Sequence, residues 1–473
     1  MPSTATQATA TSDLTRATIA KGFANGRSNL PHVKIFIIGA GHVGTTIVQA
    51  LHDEHELTVF DLDEERLAAI SQRYDVHTVE GNGASRRVLS AAGIKDADLL
   101  IACTSRDETN IVSAMISKAC SNRTTTIVRT TNPEYLEVWR EGQLDVDFIV
   151  SSEVETAYAI SRTIGVPAAR QTDVFAEGQV QMVEFDVPES ADPSLLRTPL
   201  REARLPPDSR VAAMIRGDKV VIPRGDESIQ PGDRIVVIGS PQAAQAWGEL
   251  IAPGTGKVRD VVIFGAGRAG TAVARLLLEQ GIGVRLIEAS RERSRAVAAE
   301  LPGARVYHAT GFDPDFLERE RIADAQVAVF AMRDDLKNHF AATLAKVHGA
   351  RFTVAIVHEA ASVGVFEHAG VDVTVNPRQI TAEEIVRFAH DPRTQQVVML
   401  EGDRFEVLDI TTKPASEYVG LSFKEMPIRG AVIGAIVRDG KAVFPRSDDV
   451  LRTGDRVIVF TESRRVHEVE KAL

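Results

Sequence analysis

Residues 33–44 read Val-Lys-Ile-Phe-Ile-Ile-Gly-Ala-Gly-His-Val-Gly, and this stretch decides the fold of the first part of the chain. Lys34 to Ile38 is almost continuously apolar, which is typical of a strand buried on both faces of a parallel sheet. The glycines that follow predict a tight turn at Gly39, close approach of a pyrophosphate at Gly41, and close packing of a helix against the sheet at Gly44. The stretch therefore predicts a strand, a turn and a helix whose free N–H groups face an anion.

An acid closes the next predicted strand. Asp61 follows the apolar residues 57–60 and lies 22 residues after Gly39 (61 − 39), close to the spacing of roughly 20 expected for a ribose-binding acid. A lone G-x-G-x-x-G is weak evidence, but the strand, helix and acid in this order predict a nucleotide-binding Rossmann unit. His42 and Val43 lie within the turn and are included as candidate binding residues, although His42 is equally well explained as a surface residue at a helix N-terminus.

Length and composition limit the classes of protein that fit. At 473 residues the chain is too long for one hydrophobic core, and length alone predicts roughly three or four domains. The formal net charge of −11 gives no basic surface, so we expect no nucleic-acid partner. Cys103 and Cys120 form neither a CxxC pair nor a disulfide framework, which fits buried thiols in a reducing cytoplasm.

The chain carries no predicted targeting or membrane segment. Residues 1–30 are rich in Thr, Ala, Ser and Gly and lack the apolar core of a secretory signal, so we predict a disordered leader. Nowhere does the sequence approach 18 consecutive apolar residues. If the protein works at a membrane, we expect a partner to supply the spanning part.

A second copy of the opening motif, Val-Val-Ile-Phe-Gly-Ala-Gly-Arg-Ala-Gly, lies at residues 261–270, so the chain repeats itself. Its first glycine, Gly265, lies 226 residues after Gly39 (265 − 39), and its acid is Glu288. Residues 215–223 and 231–238 also resemble residues 436–445 and 453–460, at an offset of 222 between Gly232 and Gly454 (454 − 232). We therefore predict the duplication of a two-part unit.

The fold class follows from the two parts of this unit. The first part alternates short apolar strands with helical stretches, which predicts a doubly wound α/β domain, and the second part has short alternating strands with turn signals, which predicts a small, mostly β subdomain. The predicted divisions are a leader at 1–30, a Rossmann domain at 31–165, a β-tail at 166–252, a second Rossmann domain at 253–390 and a second β-tail at 391–473.

This order of domains, together with residues 81–98 and 104–110, resembles the TrkA family of tandem RCK-domain regulatory subunits of potassium uptake systems. The resemblance covers residues 31–473 and implies duplicated Rossmann-like RCK-N domains that bind nucleotides, each followed by a small α+β RCK-C subdomain. It also implies a cytoplasmic ring, with a tetramer as the expected homo-oligomer, at the inner face of the cell membrane. The pore would be a separate Trk-type potassium subunit.

The resemblance assigns candidate binding residues in the first copy. The loop and acid are Gly39, Gly41, Gly44 and Asp61, and Asn82 stands where the family usually has Asp beside the base. The second wall of the cleft would be Thr104, Asp107, Glu108, Asn110 and Arg129. All these positions follow predicted strands at their carboxyl ends, where ligands bind in open α/β sheets.

The second copy keeps the loop and the acid but loses the opposite wall. The retained candidates are Gly265, Gly267, Gly270 and Glu288, with Arg268 as a residue that either grips a phosphate or is simply solvated. Alignment of Asn110 with Asn338 pairs Thr104 with Met332, and the region of Arg129 becomes the apolar residues 354–357. We predict a degenerate second site that binds nucleotide weakly or not at all.

Two functions are compatible with the fold, and the residues favour a sensor over an enzyme. An NAD-dependent oxidoreductase would need a general acid or base beside the nicotinamide and a substrate domain, whereas the histidines are scattered and the β-tails are too small. Asp61 would accept ribose hydroxyls and repel a 2′-phosphate, so NADP is disfavoured and NAD/NADH, ATP and ADP stay open. Residues 154–164 and 382–389 resemble the crossover and dimerising helices of RCK domains, although Ala157, Ile160 and Ile164 fit a core within this chain equally well.

Overall fold

The computed structural model describes residues 33–53, 55–166, 168–217, 219–254, 256–386, 394–400, 404–423, 426 and 430–473. The predicted leader at 1–30 lies outside these residues, as do the predicted boundary near His390 and the last three residues of the helix expected at 382–389. Among the described residues, no helix is long and apolar enough to cross a membrane.

The first α/β unit is a six-stranded parallel sheet in the order β3-β2-β1-β4-β5-β6, with helices on both faces. Its strands are β1 Lys34–Ile38, β2 Glu56–Asp61, β3 His77–Glu80, β4 Leu99–Ala102, β5 Thr125–Thr130 and β6 Phe148–Ser151. Its helices are α1 His42–Leu51, α2 Glu64–Ser71, α3 Arg86–Ala91, α4 Asp107–Cys120, α5 Pro133–Arg140 and α6 Ser152–Gly165. The order 3-2-1-4-5-6 is that of the Rossmann fold, whose ligand crevice lies at the carboxyl ends of β1 and β4, where the strand order reverses.

A five-stranded antiparallel sheet follows, in the order β10-β9-β11-β8-β7. It consists of β7 Ala169–Phe175, β8 Val180–Asp186, β9 Ser209–Arg216, β10 Lys219–Val221 and β11 Arg234–Gly239, and helix α7 Pro241–Ile251 packs on one face. Trp247 of α7 is completely buried there. The predicted α+β character of the small subdomain is confirmed.

The second half of the chain repeats both sheets strand for strand. The parallel sheet, in the order β14-β13-β12-β15-β16-β17, consists of β12 Asp260–Phe264, β13 Gly283–Glu288, β14 Arg305–His308, β15 Val327–Phe330, β16 Thr353–Ile356 and β17 Val373–Val375. Its helices are α8 Arg268–Glu279, α9 Arg291–Glu300, α10 Pro314–Arg319, α11 Asp335–Val347, α12 Val363–His368 and α13 Pro377–Val386. The antiparallel sheet, in the order β18-β19-β22-β20-β21, consists of β18 Thr394–Leu400, β19 Phe405–Thr411, β20 Ala431–Arg438, β21 Lys441–Val443 and β22 Arg456–Glu462, followed by α14 Val466–Ala472. The predicted duplication is confirmed.

The repeated Gly-Asp-Arg segments of the β subdomains contain a structural ion pair. Asp233 accepts hydrogen bonds of 2.7 Å from both Nε and Nη2 of Arg216 and lies almost completely buried. In the second copy, Asp455 accepts hydrogen bonds of 2.9 and 2.7 Å from the same atoms of Arg438. A bidentate ion pair of this kind fixes the end of one strand against the start of its neighbour. The repeated motif is therefore explained by folding and needs no ligand.

The last helix of each α/β unit packs against the other unit. Ile160 and Ile164 of α6 lie in one core cluster with Leu277 of α8, and Ile385 of α13 lies in a cluster with Ile47 of α1. The sequence left open whether the apolar side chains of α6 serve dimerisation or the core of this chain. They are core residues, and the core lies between the two halves of a single chain.

The two antiparallel sheets also pack face to face. Val236 and Ile238 of β11 share a core cluster with Ala435 of β20 and Phe460 of β22. A Cβ added to Gly434 would lie 2.6 Å from Ile238, so the sheets approach closely at this point. The two halves of the chain therefore share hydrophobic cores both between their α/β units and between their antiparallel sheets.

Candidate functional site

The loop between β1 and α1 has the geometry that its glycines predict. Gly39 has a φ of +114°, a region that side chains with a Cβ rarely adopt, and its N–H donates to the carbonyl of Phe60 at 2.7 Å. A Cβ on Gly44 would lie 1.9 Å from the Gly39 carbonyl oxygen, whereas a Cβ on Gly41 would meet no atom within 4 Å. Gly44 is therefore required for packing, and Gly41 leaves open space in front of the α1 N-terminus.

Asp61 holds this loop from the end of the neighbouring strand. Its Oδ2 accepts a hydrogen bond of 2.6 Å from the backbone N–H of Ala40, and its Oδ1 accepts one of 3.0 Å from the backbone N–H of Asp63. Each carboxylate oxygen can accept more than one hydrogen bond, so Asp61 keeps capacity for ribose hydroxyls. The acid both orders the loop and faces the space in front of it.

A cavity of about 780 Å³ lies in front of this loop, within the size range of cofactor sites. The predicted residues that line it are Gly39, Gly41, His42, Val43, Asp61, Asn82, Thr104 and Arg129. Gly44 lies behind the loop against Gly39 and does not line the cavity. The structure therefore brings most of the predicted first site together around one space.

Asp107 and Asn110 lie outside the cavity lining and serve as internal ties. Asn110 is completely buried; its Oδ1 accepts from the N–H and hydroxyl of Thr104, and its Nδ2 donates to the carbonyls of Thr104 and Arg129. Asp107 accepts hydrogen bonds of 2.9–3.0 Å from the N–H groups of Thr131 and Asn132. These side chains join the ends of β4 and β5, which shapes the cavity without facing it.

The second copy supports this structural role. Asn338 makes the same backbone hydrogen bonds as Asn110: it accepts from the N–H of Met332 and donates to the carbonyls of Met332 and Ile356. Asp335, like Asp107, accepts hydrogen bonds from two backbone N–H groups, those of residues 358 and 359. The ties are thus retained where the polar wall is lost. Glu108, the other residue expected on the second wall, is exposed and accepts a hydrogen bond of 3.1 Å from Tyr135 outside the cavity lining.

Arg129 and Thr104 form the polar wall opposite the loop. The Nε of Arg129 donates to the hydroxyl of Ser152 at 3.0 Å, and its Nη1 donates to the carbonyl of Thr104 at 3.3 Å. These contacts hold the guanidinium at the cavity, where it favours an anionic ligand. Asn82 lies exposed at the opposite edge and its Oδ1 accepts from the N–H of Ala84, which closes a local turn.

Several lining residues were missed from the sequence. They are Arg66, Arg73 and Tyr74 from α2 and the turn after it, Arg106 before α4, and Arg378 from α13. Arg66 lies in α2 and Arg73 in the turn after it, and two arginines seven residues apart soon after the acid are a signal from which they could have been found. Arg378 has no such signal, because it belongs to the second half of the chain and reaches the first cavity only through the packing of α13 on α1.

The second cleft keeps the loop but not its surroundings. A Cβ on Gly270 would lie 2.0 Å from the Gly265 carbonyl, Gly267 is as open as Gly41, and Glu288 accepts a hydrogen bond of 2.9 Å from Ala266. The position of Arg129 is taken by Ile356, which is buried. The polar wall of this cleft has become apolar.

Two arginines of the second copy are engaged by protein groups. Arg293 donates from Nε to the carbonyl of Ala266 in the loop at 2.7 Å and from Nη2 to the hydroxyl of Thr271 at 3.2 Å. Its counterpart Arg66 is paired instead with Asp63 at 3.1 Å. Arg268 donates a hydrogen bond of 3.2 Å to the hydroxyl of Thr131 in the first unit.

Burial changes the acidity of two groups beside these clefts. It raises the pKa of the Cys103 thiol to about 12, so this cysteine behind the loop is a protonated core residue at neutral pH. Burial likewise raises the pKa of Glu153, near the start of α6, to about 7, against the opposing effects of its backbone hydrogen bond and of Arg129 and Arg268. Within the described residues, no group of three or more His, Cys, Asp and Glu side chains has the arrangement of a metal site.

Known protein families match both halves of this chain. The TrkA-N domain family matches residues 35–152 and 261–377, and the TrkA-C domain family matches residues 182–252 and 407–473. The chain belongs to the TrkA family. Among curated relatives of this TrkA-family chain, the Trk system potassium uptake protein TrkA homolog 1 of Methanosarcina mazei is 32% identical over 93% of this chain and 99% of its own length. The Trk system potassium uptake protein TrkA of Azorhizobium caulinodans is 29% identical over 93% and 98%.

Solved structures agree on the fold. The GsuK RCK domain matches with a TM-score of 0.56 at 18% identity, covering 94% of the TrkA-family chain and 96% of its own. The GsuK channel bound to NAD matches with a TM-score of 0.58 at 18% identity, covering 96% and 82%. The predicted fold class, duplicated RCK-N domains each followed by an RCK-C subdomain, is therefore confirmed.

Proposed function

We propose that this protein is the nucleotide-binding regulatory subunit of a potassium uptake system. The observation that carries the proposal is the 780 Å³ cavity in front of the Gly39 loop, which is lined by an α-helix N-terminus, Asp61 and Arg129. This combination suits an anionic ligand that has a ribose, since N–H groups and a guanidinium face phosphates and a carboxylate faces hydroxyls. The names of the curated relatives supply the link to potassium uptake.

The ligand of the first cavity is proposed to be NAD/NADH and/or ATP/ADP. Asp61 recognises the ribose that these nucleotides share and disfavours a 2′-phosphate. The second cleft is proposed to bind nucleotide weakly or not at all, because Ile356 replaces Arg129 and Arg293 already lies over the loop. Occupation of the first cavity favours one arrangement of the RCK units, and this preference is passed to the pore.

Regulation fits the cavity better than hydride transfer does. Among the described residues that line the cavity, His42 has the only imidazole, and it lies on the phosphate loop with its Nε2 3.8 Å from Glu359. A phosphate-loop position faces the pyrophosphate, whereas an oxidoreductase needs its acid or base beside the nicotinamide. NADH turnover with a small substrate, without any effect of nucleotide on assembly or transport, would support the alternative of an NAD-dependent oxidoreductase.

The proposed partners are a separate Trk-type membrane pore subunit and further copies of this chain, with a tetramer as the expected oligomer at the cytoplasmic face of the membrane. Exposed apolar side chains on equivalent helices of the two units support self-association: Val112 of α4, and Leu336, Phe340 and Val347 of α11. Such side chains on adjacent turns are typical of protein interfaces.

The experiment that tests this function has a binding arm and a transport arm. Calorimetric titration of the full chain with NAD, NADH, ADP, ATP and NADP measures binding directly, and NADP is expected to bind most weakly. Potassium uptake is then measured in cells that lack their own TrkA and express either wild type or Asp61→Ala. Cells that express wild type are expected to recover potassium uptake that is regulated by nucleotide. Cells that express Asp61→Ala are expected to lack this regulation. Absence of nucleotide binding by the wild type would contradict the proposal.

A further inference from the structure

Arg378 belongs to the second half of the chain but lines the cavity of the first. It is the second residue of α13, the helix that packs against α1 behind the phosphate loop. Its Nη1 donates a hydrogen bond of 3.0 Å to Glu359, whose other carboxylate oxygen lies 3.8 Å from Nε2 of His42 on the loop. Glu359 and Arg378 thus meet at the edge of the cavity where the helix N-terminus would hold phosphates.

The duplication supplies an internal comparison for Arg378. Thr156 of α6 and Thr381 of α13 each donate to the carbonyl of the first residue of their helix, which aligns the two helices and pairs Arg378 with Glu153. The carboxyl oxygen Oε2 of Glu153 is buried and has no hydrogen-bond partner among the described residues. This helix position is therefore basic in α13, where Arg378 lines the first cavity, and acidic in α6, where Glu153 lies near Arg268 of the second loop.

Helix stability does not account for the basic residue. The first turn of a helix carries a partial positive charge, which favours a carboxylate such as Glu153 and disfavours a guanidinium. Arg378 is one third exposed and Glu359 is more than half exposed, so their ion pair contributes little to folding. A negatively charged group in the cavity would compensate the unfavourable position of Arg378.

We propose that Arg378 binds a phosphate group of the nucleotide in the first cavity, an inference that rests on the nucleotide binding proposed above. The incoming phosphate repels Glu359 and replaces it as the partner of the guanidinium. Because Arg378 belongs to the second α/β unit and the loop to the first, the nucleotide then contacts both halves of the chain. Occupation of the first site is thereby coupled to the relative arrangement of the two units.

Calorimetric titration of the full chain with ADP and with adenosine tests this assignment. Arg378→Gln is expected to weaken ADP binding about ten- to hundredfold, the range for loss of a charged hydrogen bond, and to change adenosine binding less than about twofold. Glu359→Gln removes the competing carboxylate and is expected to strengthen ADP binding by about two- to tenfold. Arg305→Gln removes an equal charge from the exposed start of β14 in the same half and serves as the matched control, with no expected change.

The outcomes separate this inference from the function on which it rests. Wild-type ADP affinity in Arg378→Gln, or an equal loss of ADP and adenosine binding, would overturn the role of Arg378 while leaving nucleotide binding intact. A wild-type protein that binds no nucleotide would overturn the proposed function itself. Thermal unfolding of each variant without ligand checks that a loss of ADP binding does not come from a loss of folding.

Discussion

The carboxylate of Asp61 accepts a hydrogen bond of 2.6 Å from the backbone N–H of Ala40, so the acid that is expected to read the ribose also holds the phosphate loop. Glu288 makes the same contact with Ala266 at 2.9 Å in the second copy. Asp61 and Glu288 thus have the same structural role, but of these two acids only Asp61 faces a polar cavity wall. The binding role and the structural role of the acid can therefore be measured separately.

Asp61→Ala is expected to lower nucleotide affinity about ten- to hundredfold and the free energy of unfolding by about 1–2 kcal/mol, because it removes both the ribose acceptor and the loop contact. Glu288→Ala is the matched control, with a similar loss of stability and unchanged nucleotide affinity. Calorimetric titration and urea unfolding measure the two quantities. Equal losses of affinity in both variants would show that the two clefts bind alike.

Gly41 and Gly44 are expected to respond oppositely to substitution by alanine. Gly44→Ala places a Cβ 1.9 Å from the Gly39 carbonyl and is expected to cost at least about 2 kcal/mol of unfolding free energy. Gly41→Ala meets no atom within 4 Å, so stability is expected to stay within about 1 kcal/mol while the methyl group obstructs the phosphates. Urea unfolding and nucleotide titration of both variants check this. Unchanged binding in Gly41→Ala would contradict the predicted position of the ligand.

Asn110 and Asn338 are expected to behave as equivalent structural residues. Each is completely buried and bonds two backbone carbonyls, so alanine at either position leaves buried polar groups unpaired and is expected to cost about 2–4 kcal/mol. Chemical unfolding monitored separately in each half, for example by hydrogen exchange, measures the cost. A loss of nucleotide affinity in Asn110→Ala without a loss of stability would instead indicate a direct contact with the ligand.

Glu153 makes the stability depend on pH. Its pKa of about 7 in the folded chain lies above its ordinary value of 4.5 because of burial, so between these values the native state keeps a proton that the unfolded state has lost. Stability from this group therefore falls as the pH rises from about 4.5 to 7, by at most about 3 kcal/mol. Glu153→Gln is expected to remove this loss and to be more stable than wild type at pH 8 but not at pH 4.5.

The matched control for Glu153 is Glu137→Gln, which removes an exposed carboxylate from α5 of the same unit. Urea unfolding at pH values from 4.5 to 8 is expected to give parallel curves for this variant and wild type. A Glu153→Gln curve that runs parallel to wild type would show that the carboxyl group is ionised throughout this range.

The exposed apolar face of α11 is expected to support self-association. Leu336 is 82% exposed and Phe340 is 57% exposed, so Asp at both positions is expected to split the oligomer with little change in the stability of the chain. Val365→Asp on α12, at a side chain 58% exposed, is the control for adding a charge elsewhere. Light scattering after size exclusion measures the mass. An oligomer that survives the double substitution would place the interface on another surface.

Local patterns predicted the geometry of the Gly39 loop, and the reasons can be identified. The turn at Gly39 needs a positive φ and the approach of α1 needs no Cβ at Gly44, and both requirements can be recognised from a single segment. The same patterns did not reveal the roles of Asp107 and Asn110. Their sequence positions beside the strand ends suggest a wall of the cleft, but their side chains turn toward the backbone of β5.

The sequence by itself determined the duplication, the order of the four sheets and the place of the first cleft, because these depend on apolar periodicity, glycine positions and the spacing of an acid along continuous segments. Only the tertiary structure decided against which unit each last helix packs and which half of the chain supplies each residue of the first cavity. The packing of α6 on the second unit, the packing of α13 on the first unit and the position of Arg378 at the first cavity depend on contacts between segments more than 100 residues apart. Side-chain shape and burial at that interface select the arrangement, and no local pattern encodes them.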